Sequence, residues 1–88
     1  MTVHVLITGK VQGVFFRASA KEQAEELGLT GWVKNAREGH VELMASGSEA
    51  VVGRFIAWCR IGPPRAAVSQ VKVKQVEETE FNGFSLLR

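Results

Sequence analysis

Between Ile7 and Ala20 the hydrophobic repeat of this chain changes from a strand period to a helix period. A glycine-bracketed segment, Gly9-Lys10-Val11-Gln12-Gly13-Val14-Phe15-Phe16-Arg17, lies at the change. Before it, Val3, Val5 and Ile7 alternate with His4, Leu6 and Thr8, as a strand with one buried face requires. After it, Phe16, Ala20, Ala24 and Leu27 share one side of a helix, while Glu22, Glu25 and Glu26 are mostly directed elsewhere. The chain therefore opens as strand, loop and helix, and the loop holds backbone N–H groups at the positive end of that helix.

Such a loop suits an anion. Gly9 and Gly13 permit positive φ and let a ligand approach the backbone closely. Successive N–H groups in a tight loop form a concave nest. Val14, Phe15 and Phe16 include no Ser, Thr, Asp or Asn to cap the first turn, and no acidic residue appears before Glu22 to compete with an anion there. Arg17 adds a permanent charge whose planar fork matches two phosphate oxygens. The competing reading is a glycine turn beside a surface Arg, and spacing alone does not separate the two. The nucleotide P-loop is excluded because no Lys-Ser or Lys-Thr follows Gly13, and the dinucleotide fingerprint because its third Gly is missing.

The remaining elements follow from the same periodicities. Gly28 ends the first helix, with Leu29 placed for the accompanying apolar contact. Strands are expected from about Gly31 to Arg37 and from about His40 to Ala45, around a turn at Glu38-Gly39, with Val41, Leu43 and Ala45 inward. A second helix starts at Ser46 or Ser48, buries Val52, Phe55, Ile56 and Cys59, and stops at Gly62-Pro63-Pro64. A fourth strand alternates buried Val71 and Val73 with solvated Lys72 and Lys74. A short edge strand at Phe84–Leu87 follows the turn at Asn82-Gly83. The order βαββαβ with a short fifth strand is that of a ferredoxin-like α+β sandwich: an antiparallel sheet with two helices on one face.

At 88 residues, residues 1–88 are expected to form one domain with a modest core. The net charge of +2 is mild and spread out, which gives no case for nucleic acid. The lone Cys59 cannot form an internal disulfide, the N-terminus lacks the basic and apolar regions of a secretory signal, and no apolar run reaches the length of a membrane span. A cytoplasmic protein without membrane contact is the simplest expectation. No cluster of His, Cys and carboxylates shows metal-ligand spacing, so no metal site is assigned. Covalent catalysis has little support: Ser19 has no nearby His, and Cys59 lies on the apolar face of its helix.

The segment from Gly9 to Arg17 resembles the signature of the acylphosphatase family. Gly31-Trp32-Val33-Lys34-Asn35, followed by Gly39, Val41 and Gly47, resembles its second signature. The resemblance spans the whole chain. It implies a hydrolase that cleaves acyl phosphates to a carboxylate and inorganic phosphate by direct attack of water, without phosphoenzyme, metal or cofactor. Such a substrate suits a site lacking an obvious base, because its carboxylate leaves without needing a proton. Carried over by residue, Arg17 would bind the phosphoryl group and Asn35 would orient the water. Val11, Gln12, Gly13, Val14, Phe15 and Phe16 would supply backbone donors, with the Gln12 side chain as a further polar group. The implied partner is a small-molecule acyl phosphate, with phosphate or sulfate as alternative occupants of the site, and a monomer is expected. Ala36 departs from the family, many of whose members carry Thr after the Asn. Similar domains also occur within larger maturation proteins that use carbamoyl phosphate; the length of this chain fits the free-standing enzyme.

On its own, Asn35 reads as a turn residue bonding its own backbone; the pairing with Arg17 favours the functional role. His4 and His40 read as outward-facing strand residues and are not assigned to catalysis. Phe15, Trp32 and Trp58 read as packing residues rather than stacking platforms, and Arg37, Arg54, Arg60 and Arg65 as scattered surface charge. A binding module is the rival class, since this sandwich also carries RNA-binding and metal-chaperone domains. RNA recognition calls for aromatics on the central strands, and Val3–Ile7 and His40–Ala45 have none. A soft-metal chaperone needs a Cys pair in the first loop, which has no Cys.

Overall fold

A computed structural model describes all residues from Met1 to Arg88. Strand β1 (Thr2–Lys10) is followed by helix α1 (Phe16–Glu26), strand β2 (Thr30–Asn35), a single helical turn (Arg37–Gly39) and strand β3 (Val41–Ser46). Helix α2 (Glu49–Ile61) and strands β4 (Ala67–Val76) and β5 (Phe84–Leu86) complete the chain. The strands form one sheet in the order β4-β1-β3-β2-β5, and the architecture is the expected ferredoxin-like α+β sandwich. No helix is long and apolar enough to cross a membrane.

Parity along the strands fixes which face is buried. Val3, Val5 and Ile7 of β1 stand opposite Ala45, Leu43 and Val41 of β3, and Val33 of β2 stands opposite Leu43. All are buried, and both helices close over them: Phe16, Ala20 and Ala24 from α1 join Val52, Phe55 and Cys59 from α2 in one cluster. Burying an aliphatic or aromatic side chain of this kind contributes about 1.5–3 kcal/mol. Trp58, half-buried, packs against Phe16 at 5.4 Å between ring centroids, and Phe55 meets Phe84 of β5 edge-on at 6.0 Å. The other sheet face is open, and His4, Glu42, Lys34 and Trp32 lie on it.

Three expectations are corrected and one left open is resolved. The sheet is mixed rather than antiparallel, because β5 runs parallel to β2, with Gly31 opposite Phe84. The cause is the path after β4. Val76 lies beside Thr2, at the end of the sheet where β1 and β2 begin. The chain crosses that end, held by Thr79 N–H on Thr2 Oγ1 at 3.1 Å and Gly31 N–H on the Gly83 carbonyl at 3.0 Å, and then runs alongside β2 in the same direction. Val73 is exposed rather than buried, since β4 is an edge strand that α2 only partly covers. Of the two candidate caps, Ser48 accepts the Val51 N–H at 3.3 Å, whereas Ser46 ends β3 with its hydroxyl 2.9 Å from that of Thr2. Trp32 is not core packing: it stands half-buried on the open face with Lys34 Nζ 5.3 Å from its ring centroid.

Candidate active site

The end of β1, the end of β2 and the start of β3 lie together, since Ile7 is opposite Val41 and Val41 is opposite Asn35. Helix α1 begins at this same end of the sheet. Gly31, Val33 and Asn35 share the helix-facing parity of β2, so Asn35 continues the buried row one step beyond the core. There it is exposed and lines the same hollow as Arg17. No hydrogen bond ties its side-chain amide to the protein, which argues against the turn-residue reading.

The loop is built by alternating anchors and exposed residues. Val11 and Val14 are buried at 1% and 3% exposure, while Gly13 and Phe15 face outward. Gly13 has φ 74° with open space around it. Phe15 occupies the left-handed region at φ 64°, ψ 26°, immediately before α1, and no side chain caps the helix. This conformation costs a bulky L-residue about 1–2 kcal/mol. The backbone N–H groups from Val11 to Ala18 donate to no other group of the protein; the first N–H used is that of Ser19, on the Phe15 carbonyl at 3.0 Å. Together with Arg17, this unspent run makes the helix start strongly anion-attracting.

A hollow of about 270 Å³ lies over this loop, and Val11, Gly13, Phe15, Arg17, Asn35 and Leu86 are among its walls. Arg17 is half-buried, and its Nη1 donates to the Leu87 carbonyl at 3.2 Å, which orients the guanidinium and leaves most of its five donors for another acceptor. Sequence reading had not connected β5 to the site. Leu86 as wall and Leu87 as tether depend on the parallel return strand, for which the sequence carries no direct signal.

Three assignments for the loop change. Gly9 belongs to β1 and lies at a bulge in the β1–β4 pairing; a Cβ there would come within 2.3 Å of the Ala67 carbonyl oxygen. Its role is close approach to β4, not to a ligand. Gln12 directs its amide away from any anion, donating to the carbonyls of Ala36 and His40 at 2.9 and 2.7 Å. Phe15, read as packing, is 71% exposed. The left-handed backbone of Phe15, just before α1, turns its ring away from the core that holds Phe16.

The remaining titratable groups stand apart from the hollow. His4 pairs through Nε2 with Glu42 at 2.6 Å on the open sheet face, and His40 contributes only its carbonyl to the turn. Cys59 is fully buried, and desolvation pushes its thiol up to about 12, which removes it as a nucleophile.

Comparison with known proteins agrees with this geometry. The acylphosphatase family model matches residues 3–86. An acylphosphatase from Methylococcus capsulatus is 53% identical over 87 residues, covering 98% of this chain and 95% of the relative. The solved structure of an acylphosphatase from Coxiella burnetii superposes with a TM-score of 0.94 at 45% identity, covering 98% of this chain and 90% of that one. The crystal structure of acylphosphatase from Bacillus subtilis gives 0.94 at 32% identity, covering 99% and 98%. Matched almost end to end in sequence and in backbone, the chain belongs to the acylphosphatase family.

Proposed function

We propose that this acyl phosphate hydrolase works by direct attack of water, with Arg17 holding the phosphoryl group and Asn35 orienting the nucleophile. The observation that carries the reading is the unspent run of N–H groups from Val11 to Ala18 in the same hollow as Arg17 and Asn35. The guanidinium and loop donors bind the phosphoryl oxygens and stabilise charge developing on them. The Asn35 amide, free of internal partners, accepts from a water and aligns it with phosphorus. The water oxygen bonds to phosphorus as the bond to the acyl oxygen breaks. The electron pair departs with the carboxylate, and a phosphoryl oxygen takes the water proton. No side-chain base and no metal ion enter these steps. Residues 1–88 act as one acylphosphatase-like domain, as a cytoplasmic monomer whose partner is a small acyl phosphate, with phosphate or sulfate as competing occupants.

The test is hydrolysis of benzoyl phosphate with excess chelator. Asn35→Ala should lower kcat by about 10²-fold or more while the inhibition constant for inorganic phosphate stays within about twofold. Arg17→Ala should weaken phosphate inhibition and turnover together. Equal loss of phosphate affinity in both variants would overturn the division of roles.

A further inference from the structure

We propose that Phe15 and Leu86 form an acyl-binding lip on the hollow, which favours acyl phosphates bearing an aromatic or extended apolar acyl group over those with a small one. The inference rests on the hydrolase reading above and names its substrate class.

Phe15 stands out against its neighbours. Val14 and Phe16 are buried at 3% and 2%, whereas Phe15 is 71% exposed. Its backbone sits at φ 64°, a region that large side chains leave to Gly and Asn, and this turn carries the ring out of the core. An exposed ring in a strained conformation adds little to folding, and such strain concentrates where ligands bind. The other exposed large apolar residues, Ile61, Val73 and Leu87, do not line the hollow; Phe15 does.

The walls divide by chemistry. Gly13, Arg17 and Asn35 are polar and suit the phosphoryl group and the water; Val11, Phe15 and Leu86 are apolar. In-line displacement places the departing carboxylate on the side of phosphorus away from the water. The acyl chain then leaves the hollow past its apolar walls, of which Phe15 is exposed and Leu86 half-buried. An aromatic acyl group would bury part of the Phe15 ring there, and an acetyl group is too short to gain comparable contact.

The measurement is kcat/KM for benzoyl phosphate and for acetyl phosphate in the native chain, Phe15→Asn and Phe15→Leu. Asn tolerates the left-handed conformation, so loop geometry is kept while the ring is lost. The intrinsic reactivities of the two substrates are common to all three proteins and cancel in the comparison. Phe15→Asn should reduce the benzoyl-over-acetyl preference by about fivefold to tenfold, and Phe15→Leu should keep most of it. Equal losses for both substrates would make Phe15 a loop-shaping residue and overturn the lip, as would no change for either. Failure of the native chain to hydrolyse both substrates would instead remove the hydrolase reading beneath it.

Discussion

Gln12 donates its side-chain amide to the carbonyl oxygen of Ala36, 2.9 Å away, and so fastens the β1–α1 loop to the residue after Asn35. Its second hydrogen reaches the His40 carbonyl at 2.7 Å, and the Ala36 N–H closes the same turn on that carbonyl at 2.8 Å. One side chain therefore joins the two segments proposed to carry the anion site and the water site. Ala36 has no side-chain polar group of its own, so its backbone is held by the Gln12 amide and by its own N–H on the His40 carbonyl.

Gln12→Ala removes that bridge without touching the phosphoryl group. Loosened positioning of Asn35 should lower kcat by about tenfold, while inhibition by inorganic phosphate changes by less than about twofold. Gln12→Glu should be worse, since a carboxylate would face two carbonyl oxygens with no proton to give. Steady-state kinetics with phosphate as inhibitor measure both, and a rise in KM with kcat intact would show that Gln12 contacts substrate instead.

Glu42 sets part of the acid limb of stability. Its hydrogen bond from His4, aided by the charge of Lys34 at 3.7 Å and opposed by partial burial, holds its carboxyl below the usual 4.5. A carboxyl lowered in the folded state contributes stability that is complete above about 4.5 and is lost as pH falls through the folded value. Glu42→Gln should therefore lower the urea midpoint at about pH 7 by the equivalent of less than about 1 kcal/mol, with the difference closing at about pH 2. An undiminished difference at low pH would assign the loss to packing.

Cys59 marks the alkaline limb. With its thiol raised from 9.0 to about 12 by burial, the folded state keeps the proton while the unfolded chain releases it. Stability should be unaffected below 9.0 and then fall by up to about 1.4 kcal/mol per pH unit toward 12. Cys59→Ala should abolish that slope in urea titrations across the range. In the native protein the thiol should resist aromatic disulfide reagents at neutral pH until denaturant is added; rapid native labelling would contradict its burial.

How far the sequence disclosed this molecule depends on whether the cause is local. The stripe of Phe16, Ala20 and Ala24 and the inward row of Val41, Leu43 and Ala45 were legible because burial imposes a period on the residues themselves. The motif singled out Arg17 and Asn35, and both line one hollow, Asn35 by strand parity and Arg17 by the start of α1. The partners of Gln12 were not, since they are carbonyls 24 and 28 residues away that no side chain advertises. Nor was the direction of β5, which depends on how the chain crosses the end of the sheet, or the second role of Gly9, which concerns a neighbouring strand rather than a turn.

The tether from Arg17 to Leu87 has a temporal consequence. A residue near the start of the chain is positioned by a carbonyl 70 residues later, just beyond β5, so a nascent polypeptide can have made β1, α1, β3 and β4 and still lack an oriented guanidinium. Leu86, a wall of the hollow, arrives with the same strand. With Arg17 in its proposed role, activity should appear only after synthesis has passed Leu87 and β5 has settled beside β2, and its recovery on refolding should trail the return of helical signal.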